Sequence, residues 1–393
     1  MHADLSRHWA LNPDLTFLNH GSFGACPRAV LEYQAELRAR LEFSPVQFML
    51  GVPAELERLR HVVGHFLGAE AANLVFVRNA TEGVNAVVRS FPLSPGDEIL
   101  ASNHAYPACL NALRYAAAER GACVRIVEVP FPLESTAQIV EAFASGITAR
   151  TRLALIDHVT SATALIFPVA AIARVLSANG VRCLVDGAHA AGMLDLDIRS
   201  LGVDYYATNF HKWTCAPKGA GALWVRSELR GEVYPSVVSH GFSADPASRF
   251  HAMFDWTGTS DPTAWLCIER AIDVMGQLLP GGWPAVRASN RRLALAARDV
   301  LCTALGVSPP APDELLGSMA TLPLPPSHEA SSAKRDPLYG ELVKLGFELP
   351  VLAWPAPPRR IFRVSAQLYN TIGDYERLAA ILSANPAARR VPT

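Results

Sequence analysis

The amino-acid sequence predicts an α/β protein with a large domain built on a mostly parallel central sheet and a smaller α+β domain at its carboxyl end. Three observations predict this fold class. Short apolar runs alternate with amphipathic stretches between about residues 70 and 230, polar clusters follow several of these runs, and the pattern changes from about residue 263 onward. A chain of 393 residues also suits two domains, at roughly 100–200 residues each.

The alternating region supplies the predicted sheet. Apolar strands joined by helices are typical of a parallel sheet that is covered on both faces. The predicted strands are residues 73–77, 98–101, 124–129, 153–156, 182–185, 203–208 and 221–225. The helices predicted between them include 81–90, 107–120 and 168–178.

The region beyond residue 262 predicts a separate, smaller domain. Long helical stretches at 263–279 and 283–305 lead into a proline-rich connector. Short strand-like runs follow at 320–324, 347–353 and 360–365, and a terminal helix begins at about residue 374. An irregular arm and a helix over 27–42 are expected to pack with this domain. The predicted units are therefore 1–50 (arm and helix), 51–262 (large domain) and 263–393 (small domain).

Composition narrows the possible partners and the location of the protein. The formal net charge is −1, which gives no electrostatic reason to expect nucleic acid or an acidic membrane as partner. The longest apolar run, 164–173, is far shorter than the ~20 residues of a membrane span, and the first residues do not resemble a signal peptide. Seven scattered cysteines without zinc spacing predict reduced thiols, a cytoplasmic protein and no metal site.

Polar clusters follow the predicted strands at 78–81, 103–104, 157–158 and 186–189. In open α/β sheets, ligands bind at the carboxyl edge of the strands. We therefore expect the site at this edge, with the segment 157–163 lining part of it.

Asp186 and Lys212 are the most informative pair of residues. A carboxylate at the end of an apolar strand needs a cationic partner, and a protonated pyridine nitrogen is one. Lys212 follows 26 residues later between His211 and Trp213, surroundings that lower the pKa of a lysine and favour the neutral amine needed for an imine. Alone, such an Asp is usually a turn or helix cap and such a His-Lys pair usually lies on the surface. Their order and spacing together indicate a cofactor site.

Three motifs carry a family resemblance. The runs Asp-Gly-Ala-His-x-x-Gly at 186–192, Asn-x-His-Lys-Trp at 209–213 and Pro-Lys-Gly at 217–219 resemble the class V aminotransferase superfamily of fold-type I enzymes. The segments 18–24 (Leu-Asn-His-Gly-Ser-Phe-Gly) and 362–370 are similar to the isopenicillin N epimerase-like branch. The likeness covers about residues 15–380. It implies a pyridoxal-5′-phosphate (PLP)-dependent homodimer with active sites at the subunit interface and the cofactor held as a Schiff base on Lys212.

The resemblance implies where the cofactor phosphate binds. Backbone N–H groups at Ala80 and Thr81 would hold it at a helix N-terminus, with Asn209 and His211 nearby and Thr259 reaching in from the other subunit. Two of these residues also have ordinary interpretations. Thr81 could be a plain helix cap and Thr259 an ordinary turn residue.

The resemblance also implies the residues around the cofactor ring. Asp186 would pair with the pyridine nitrogen, His189 would hydrogen-bond the phenolic oxygen, and Tyr106 would cover the ring face. The alternatives are a satisfied polar residue for His189 and a core residue for Tyr106.

The substrate contacts are expected to involve Arg363, Asn19, His20 and Ser22. The planar fork of Arg363 matches an α-carboxylate bidentately. The other three lie on a glycine-flanked loop that the family places over the substrate.

The resemblance implies an enzyme that forms an external aldimine with an amino acid and abstracts its Cα proton, with released Lys212 as general base. The outcome is epimerisation as in isopenicillin N epimerase, carbon–sulfur β-elimination from a cysteine conjugate or sulfoxide, or transamination. Residues 325–375 contain no cysteine for a persulfide relay. The turn 78–83 lacks the GxGxxG of nicotinamide enzymes, and no residues remain for the DNA-binding region of a non-catalytic regulator.

Overall fold

The structure, a computed structural model, describes residues 5–327, 336–385 and Ala388. We number its elements in chain order. Strands β1 to β12 are Thr16–Phe17, Leu74–Val77, Glu98–Ser102, Cys123–Val127, Thr151–Asp157, Arg182–Gly187, Tyr205–Asn209, Gly221–Val225, Met319–Leu324, Phe347–Glu348, Val351–Ala353 and Arg360–Ser365. Helices α1 to α13 are His20–Phe23, Arg28–Phe43, Pro45–Leu67, Ala80–Ser90, Pro107–Glu119, Thr136–Gly146, Val169–Ala178, Arg249–Asp255, Thr263–Leu266, Ile268–Gln277, Gly282–Leu305, Pro337–Lys344 and Ile372–Ala384.

Seven strands form the central sheet of the large domain, in the order β2-β8-β7-β6-β5-β3-β4. Only β8 runs antiparallel to its neighbours, so the predicted mostly parallel sheet is confirmed. Alternate residues point to opposite faces: Ala154 and Ile156 of β5 join one apolar cluster, and Leu153 and Leu155 join the other. Because both faces are covered by helices, the strands are almost continuously apolar in sequence.

The small domain contains a three-stranded antiparallel sheet in the order β11-β12-β9. Helices α11 and α13 contribute to its core, which includes Leu301, Leu322, Phe362 and Leu378. The predicted strand 347–353 is split, since β10 pairs with β1 of the arm whereas β11 pairs with β12. The split falls at Pro350, which has no N–H group to donate to a strand ladder.

The helix near the N-terminus packs differently from the sequence expectation. The arm itself joins the small domain through β1. Helix α2, however, contributes Val30 and Leu37 to a large-domain cluster that also contains Leu59 of α3 and Ile268 of α10. The apolar face of α2 is thus buried against helices of the large domain, and α10, which the sequence places in the small domain, shares this core. Within the described ranges, no helix is both long and apolar enough to cross a membrane.

Candidate active site at the carboxyl edge of the sheet

A cavity of about 290 Å³ opens where β2, β5, β6 and β7 end. It lies at the sheet edge that the sequence singles out, and most of the predicted cofactor residues contribute to its wall. They are Thr81, Tyr106, Asp186, His189, Asn209, His211 and Lys212, and Ser22, a predicted substrate residue, also lines it. The wall also contains Arg78, Asp157, Ser161 and Lys218.

Lys212 lies in the turn that follows β7. The arm approaches this turn so closely that a Cβ atom on Gly24 would lie 1.9 Å from the carbonyl oxygen of His211, and Gly24 itself has a φ of +70°. Burial lowers the pKa of Lys212 to about 8, an effect that the charge of Asp186 partly opposes. The lowered pKa of Lys212 agrees with the sequence expectation, and it makes the neutral amine available near neutral pH.

Asp186 is 3% exposed at the end of β6. Its carboxylate accepts hydrogen bonds from the backbone N–H of Ala188 at 2.9 Å and from the thiol of Cys109 at 3.1 Å. It forms no ion pair with any other residue that the structure describes. A buried carboxylate with only neutral donors can accept a cationic ring nitrogen. The sequence reasoning missed Cys109, because a cysteine in a helix gives no pattern that marks it as a partner.

Asp157 stands beside Asp186 at the same position of the neighbouring strand. One carboxylate oxygen accepts from the backbone N–H of Tyr106 at 3.2 Å. The other is buried without a hydrogen-bond partner in the described part of the chain. Burial, together with the charge of Asp186, raises the pKa of Asp157 well above its usual value. A sequence signal existed, since each Asp directly follows an apolar strand.

We expect Asp157→Asn to make the cofactor-free protein more stable, increasingly so as the pH rises. The folded protein binds a proton at Asp157 more tightly than the unfolded chain, so this residue's contribution to stability falls as the pH rises from about 4 through the raised pKa. Asparagine cannot ionise and removes that loss. Thermal unfolding of wild type and variant at pH 5 to 8 should show a widening difference. The exposed Asp273 provides the control Asp273→Asn, and equal differences at all pH values would contradict the expectation.

The N-terminus of α4 lines the cavity and offers a place for a phosphate. Asn79 caps the helix by accepting from the N–H of Glu82 at 2.9 Å. The N–H of Ala80 is already used, because it donates to the side-chain oxygen of Asn209 at 2.8 Å. Ala80 therefore presents no free N–H to the cavity, contrary to the sequence expectation. Thr81 lines it instead.

His211 and Asn209 lie opposite this helix end. The Nδ1 atom of His211 is buried without a partner among the described residues. The side-chain oxygen of Asn209 is occupied by Ala80, which leaves its amide N–H groups as the donors toward the cavity. The amide N–H groups of Asn209 are thus available to an anion beside α4, whereas burial lowers the pKa of His211 to about 4, so that its ring is uncharged.

Thr259 does not line this cavity. It is exposed and borders an adjoining cavity of about 410 Å³, whose wall shares Arg78, Lys218 and Gly219 with the first. A single chain thus keeps Thr259 apart from Lys212.

Arg363 lies directly behind the cavity wall and is 3% exposed. Its guanidinium donates to the backbone oxygen of Ser161 and, at 3.1 Å, to the hydroxyl of Ser22. Asn19 is farther from the cavity and accepts from Arg363 at 3.4 Å and from Ser22 at 2.5 Å. Burial lowers the pKa of Arg363 to about 10, and no carboxylate in the described ranges forms an ion pair with it. The Nε atom has no partner there either, so the guanidinium lacks a counter-ion.

His20 does not face the substrate cavity, contrary to the sequence expectation. The ring is fully buried, with Nε2 2.9 Å from the backbone oxygen of Lys212 and Nδ1 2.9 Å from the hydroxyl of Tyr369. Since a carbonyl only accepts, Nε2 carries the proton and Tyr369 donates to Nδ1. Burial lowers the pKa of His20 to about 3, so it stays neutral. Through its hydrogen bond to the backbone oxygen of Lys212, His20 supports the lysine turn.

The residues present fit PLP. An anion-binding helix end with His211 and Asn209, a carboxylate without a cation at Asp186, and the amine of Lys212 line one cavity. These groups match the phosphate, the pyridine nitrogen and the aldehyde of that cofactor respectively. The buried carboxylate of Asp186, which has only neutral donors among the described residues, is the structural observation that carries this fit.

Comparison with known proteins agrees with this geometry. The aminotransferase class-V family model matches residues 29–334. Isopenicillin N epimerase of Streptomyces clavuligerus is 33% identical, covering 95% of this chain and 96% of that protein. A probable chloroplastic L-cysteine desulfhydrase of Arabidopsis thaliana is 28% identical, covering 96% and 83%. Among solved structures, a mutant of the enzyme C-DES with glycine covalently linked to its PLP cofactor superposes with a TM-score of 0.77 at 21% identity, covering 94% of this chain and 97% of that one.

Proposed function

We propose a reaction for this chain, which belongs to the class V aminotransferase family and is a PLP-dependent enzyme of its isopenicillin N epimerase-like branch. The proposed reaction is that the chain binds an α-amino acid and removes the proton from Cα. Two groups carry the proposal. The amine of Lys212 lies in the cavity, and the buried guanidinium of Arg363, which has no counter-ion among the described residues, lies behind the cavity wall. An amino acid supplies the missing carboxylate.

Each group has a defined task in this proposal. Bound PLP supplies the electron sink for the pair of electrons left by the Cα–H bond. Asp186 holds the ring nitrogen protonated, and Arg363 orients the carboxylate of the substrate. Lys212, once free of its covalent attachment, is the base that takes the Cα proton, since burial keeps its pKa at about 8, close to working pH.

Epimerisation is the outcome that we propose first, because the relative with the highest identity given above is an isopenicillin N epimerase and the motifs at 18–24 and 362–370 resemble that branch. Carbon–sulfur β-elimination is the second candidate, supported by the likeness to a probable L-cysteine desulfhydrase. A persulfide relay is not proposed. All seven cysteines lie in the described ranges, and none lines the cavity. Since all are unpaired, we also propose that the enzyme works in the reducing cytoplasm.

One experiment tests the proposal and separates its outcomes. The PLP-loaded enzyme is incubated in D₂O with a panel of L-amino acids, cysteine conjugates and cysteine sulfoxides. Proton abstraction replaces Cα–H by deuterium whatever follows. Recovery of the D-enantiomer identifies an epimerase, release of pyruvate, ammonia and a sulfur product identifies a lyase, and other oxoacids identify an aminotransferase. Absence of exchange and of product with every substrate in the panel would refute the proposal.

We further propose a homodimer in which the partner completes the phosphate site. Supporting features are the exposure of Thr259 and of Val237 (51%) on the adjoining cavity and the exposure of Phe23 (70%) on the wall of the first cavity. Exposed apolar groups of this kind are typical of interaction surfaces.

Thr259→Ala should raise the dissociation constant for PLP by roughly tenfold or more, the usual cost of one hydrogen bond to a charged group. Sedimentation should give a dimer. At a PLP concentration that loads wild type but leaves Thr259→Ala largely empty, a mixed dimer of one Thr259→Ala and one Lys212→Ala subunit should then regain activity, because one of its two sites receives neither change. Thr257→Ala, in the same loop, is the control for general loop damage. A mixed dimer without activity would place Thr259 in its own subunit's site.

A further inference from the structure

Two buried side chains, Trp213 and His189, form a chain of contacts that ends at the half-buried amine of Lys212. The indole Nε1 of Trp213 lies 3.3 Å from Nδ1 of His189, and Nε2 of His189 lies 3.1 Å from Nζ of Lys212. Trp213 is 1% exposed and His189 is 2% exposed. Water therefore does not compete for the contact between Trp213 and His189, and the proton of that contact must be arranged between these two rings.

The proton positions follow from the chemistry of the donors. An indole N–H only donates, so Nδ1 of His189 must accept and carries no proton. Burial, and next the charges of Lys212 and Arg363, lower the pKa of His189 well below its usual value, so the ring is neutral. A neutral imidazole with an unprotonated Nδ1 carries its one proton on Nε2. The opposite tautomer would set two N–H groups against each other and leave the buried indole unpaired, which is costly.

The Nε2–H group then points at Lys212. An ammonium has three donors and no acceptor, whereas a neutral amine has a lone pair. The contact is a hydrogen bond only when Lys212 is neutral. The indole thus acts on the lysine through the histidine, without touching it.

We infer that Trp213 is a positioning residue whose indole fixes the tautomer of His189, and that this tautomer favours the neutral amine of Lys212. The inference rests on the attachment role proposed for Lys212 and deepens it. With the cofactor bound, the same Nε2–H is a donor ready for an anionic oxygen, the role that the family resemblance implies for His189.

Other groups also act on Lys212 and must stay constant in a test. They are Asp186 and Asp157 on the sheet, Cys109 on α5 and Arg363 on β12. Trp213→Phe leaves each of them in place. A difference between wild type and variant therefore isolates the indole N–H.

The pKa of Lys212 in the cofactor-free protein is the quantity to measure. The chain has only four lysines, Lys212, Lys218, Lys334 and Lys344. Trace labelling with acetic anhydride across a pH series, read by peptide mass spectrometry, therefore gives the Lys212 curve with three internal references. In wild type we expect a midpoint near 8. In Trp213→Phe His189 can change tautomer and accept from the ammonium, so the midpoint should rise by roughly one unit, the equivalent of one hydrogen bond.

Two further proteins make the test decisive. Trp224→Phe removes another buried indole N–H, which bonds to Glu70 at 3.1 Å on the far side of β8, and should leave Lys212 unchanged. Replacing Trp213 with 3-benzothienylalanine keeps the ring shape but substitutes sulfur for the N–H, should the phenylalanine variant fold poorly. An unchanged or lowered midpoint in a folded Trp213 variant overturns the inference. Covalent PLP attachment in wild type, measured separately by mass, reports on the proposed function alone.

Discussion

Lys212→Ala should abolish covalent cofactor attachment and reduce turnover by roughly 10⁴-fold or more, because the change removes both the amine that binds the aldehyde and the base that takes the Cα proton. Borohydride reduction of the loaded protein should add the mass of the cofactor to wild type, on the peptide that contains Lys212. The variant should gain no such mass. Its fold should survive, since Lys212 lines a cavity and is not part of an apolar cluster.

Lys218 provides the matched control. It is the other lysine on the cavity wall, and its ammonium donates to the backbone oxygen of Gly24 at 3.3 Å. Lys218→Ala should keep the covalent adduct on Lys212. If Lys212→Ala instead retained normal turnover, or if the adduct moved to Lys218 with activity intact, the assignment of Lys212 would be wrong.

The sheet and its functional edge could be predicted because their signals are local. A strand buried on both faces must be apolar along its length, so each strand of the large domain stands out in sequence. Parallel strands bring their carboxyl ends to one edge of the sheet. The residues that follow these strands therefore lie close together, regardless of how the loops are folded. Asp186, His189 and Lys212 are predictable for this reason, and the structure brings them to one cavity.

The expectations that failed depend on contacts between distant segments. No sequence pattern indicates that Asn209 uses the N–H of Ala80, since the two are 129 residues apart. The His20 ring is held by the hydroxyl of Tyr369 and the backbone oxygen of Lys212, again through tertiary contacts. The split of the strand at 347–353 was readable, because Pro350 interrupts it. The packing of α2 was not, because an amphipathic helix carries no label for the surface that it covers.

Arg363→Ala should lower kcat/KM for amino acids by about 10²-fold or more while leaving the spectrum of the bound cofactor unchanged. Truncating one member of a buried charged pair costs roughly 2–5 kcal/mol, which converts to a loss in kcat/KM of roughly 30-fold to 5,000-fold and exceeds 10²-fold over most of that range. In the structure, the guanidinium donates hydrogen bonds to the neutral hydroxyl oxygen of Ser22 and the backbone oxygen of Ser161. A substrate carboxylate would replace these contacts with a charge-assisted, two-pronged one.

The charge dependence of the effect separates binding from structure. Amino-acid amides and esters lack the carboxylate, so they should react poorly with wild type and be nearly indifferent to Arg363→Ala. Arg363→Lys should recover little, because a point charge cannot reproduce the planar fork. The exposed Arg359, four residues earlier, gives the control Arg359→Ala, which should behave as wild type. Among the described residues, Arg363 is the buried cation behind this wall that lacks an anionic partner. An equal loss for acids and amides would make it a structural residue, and the substrate carboxylate would then need another anchor.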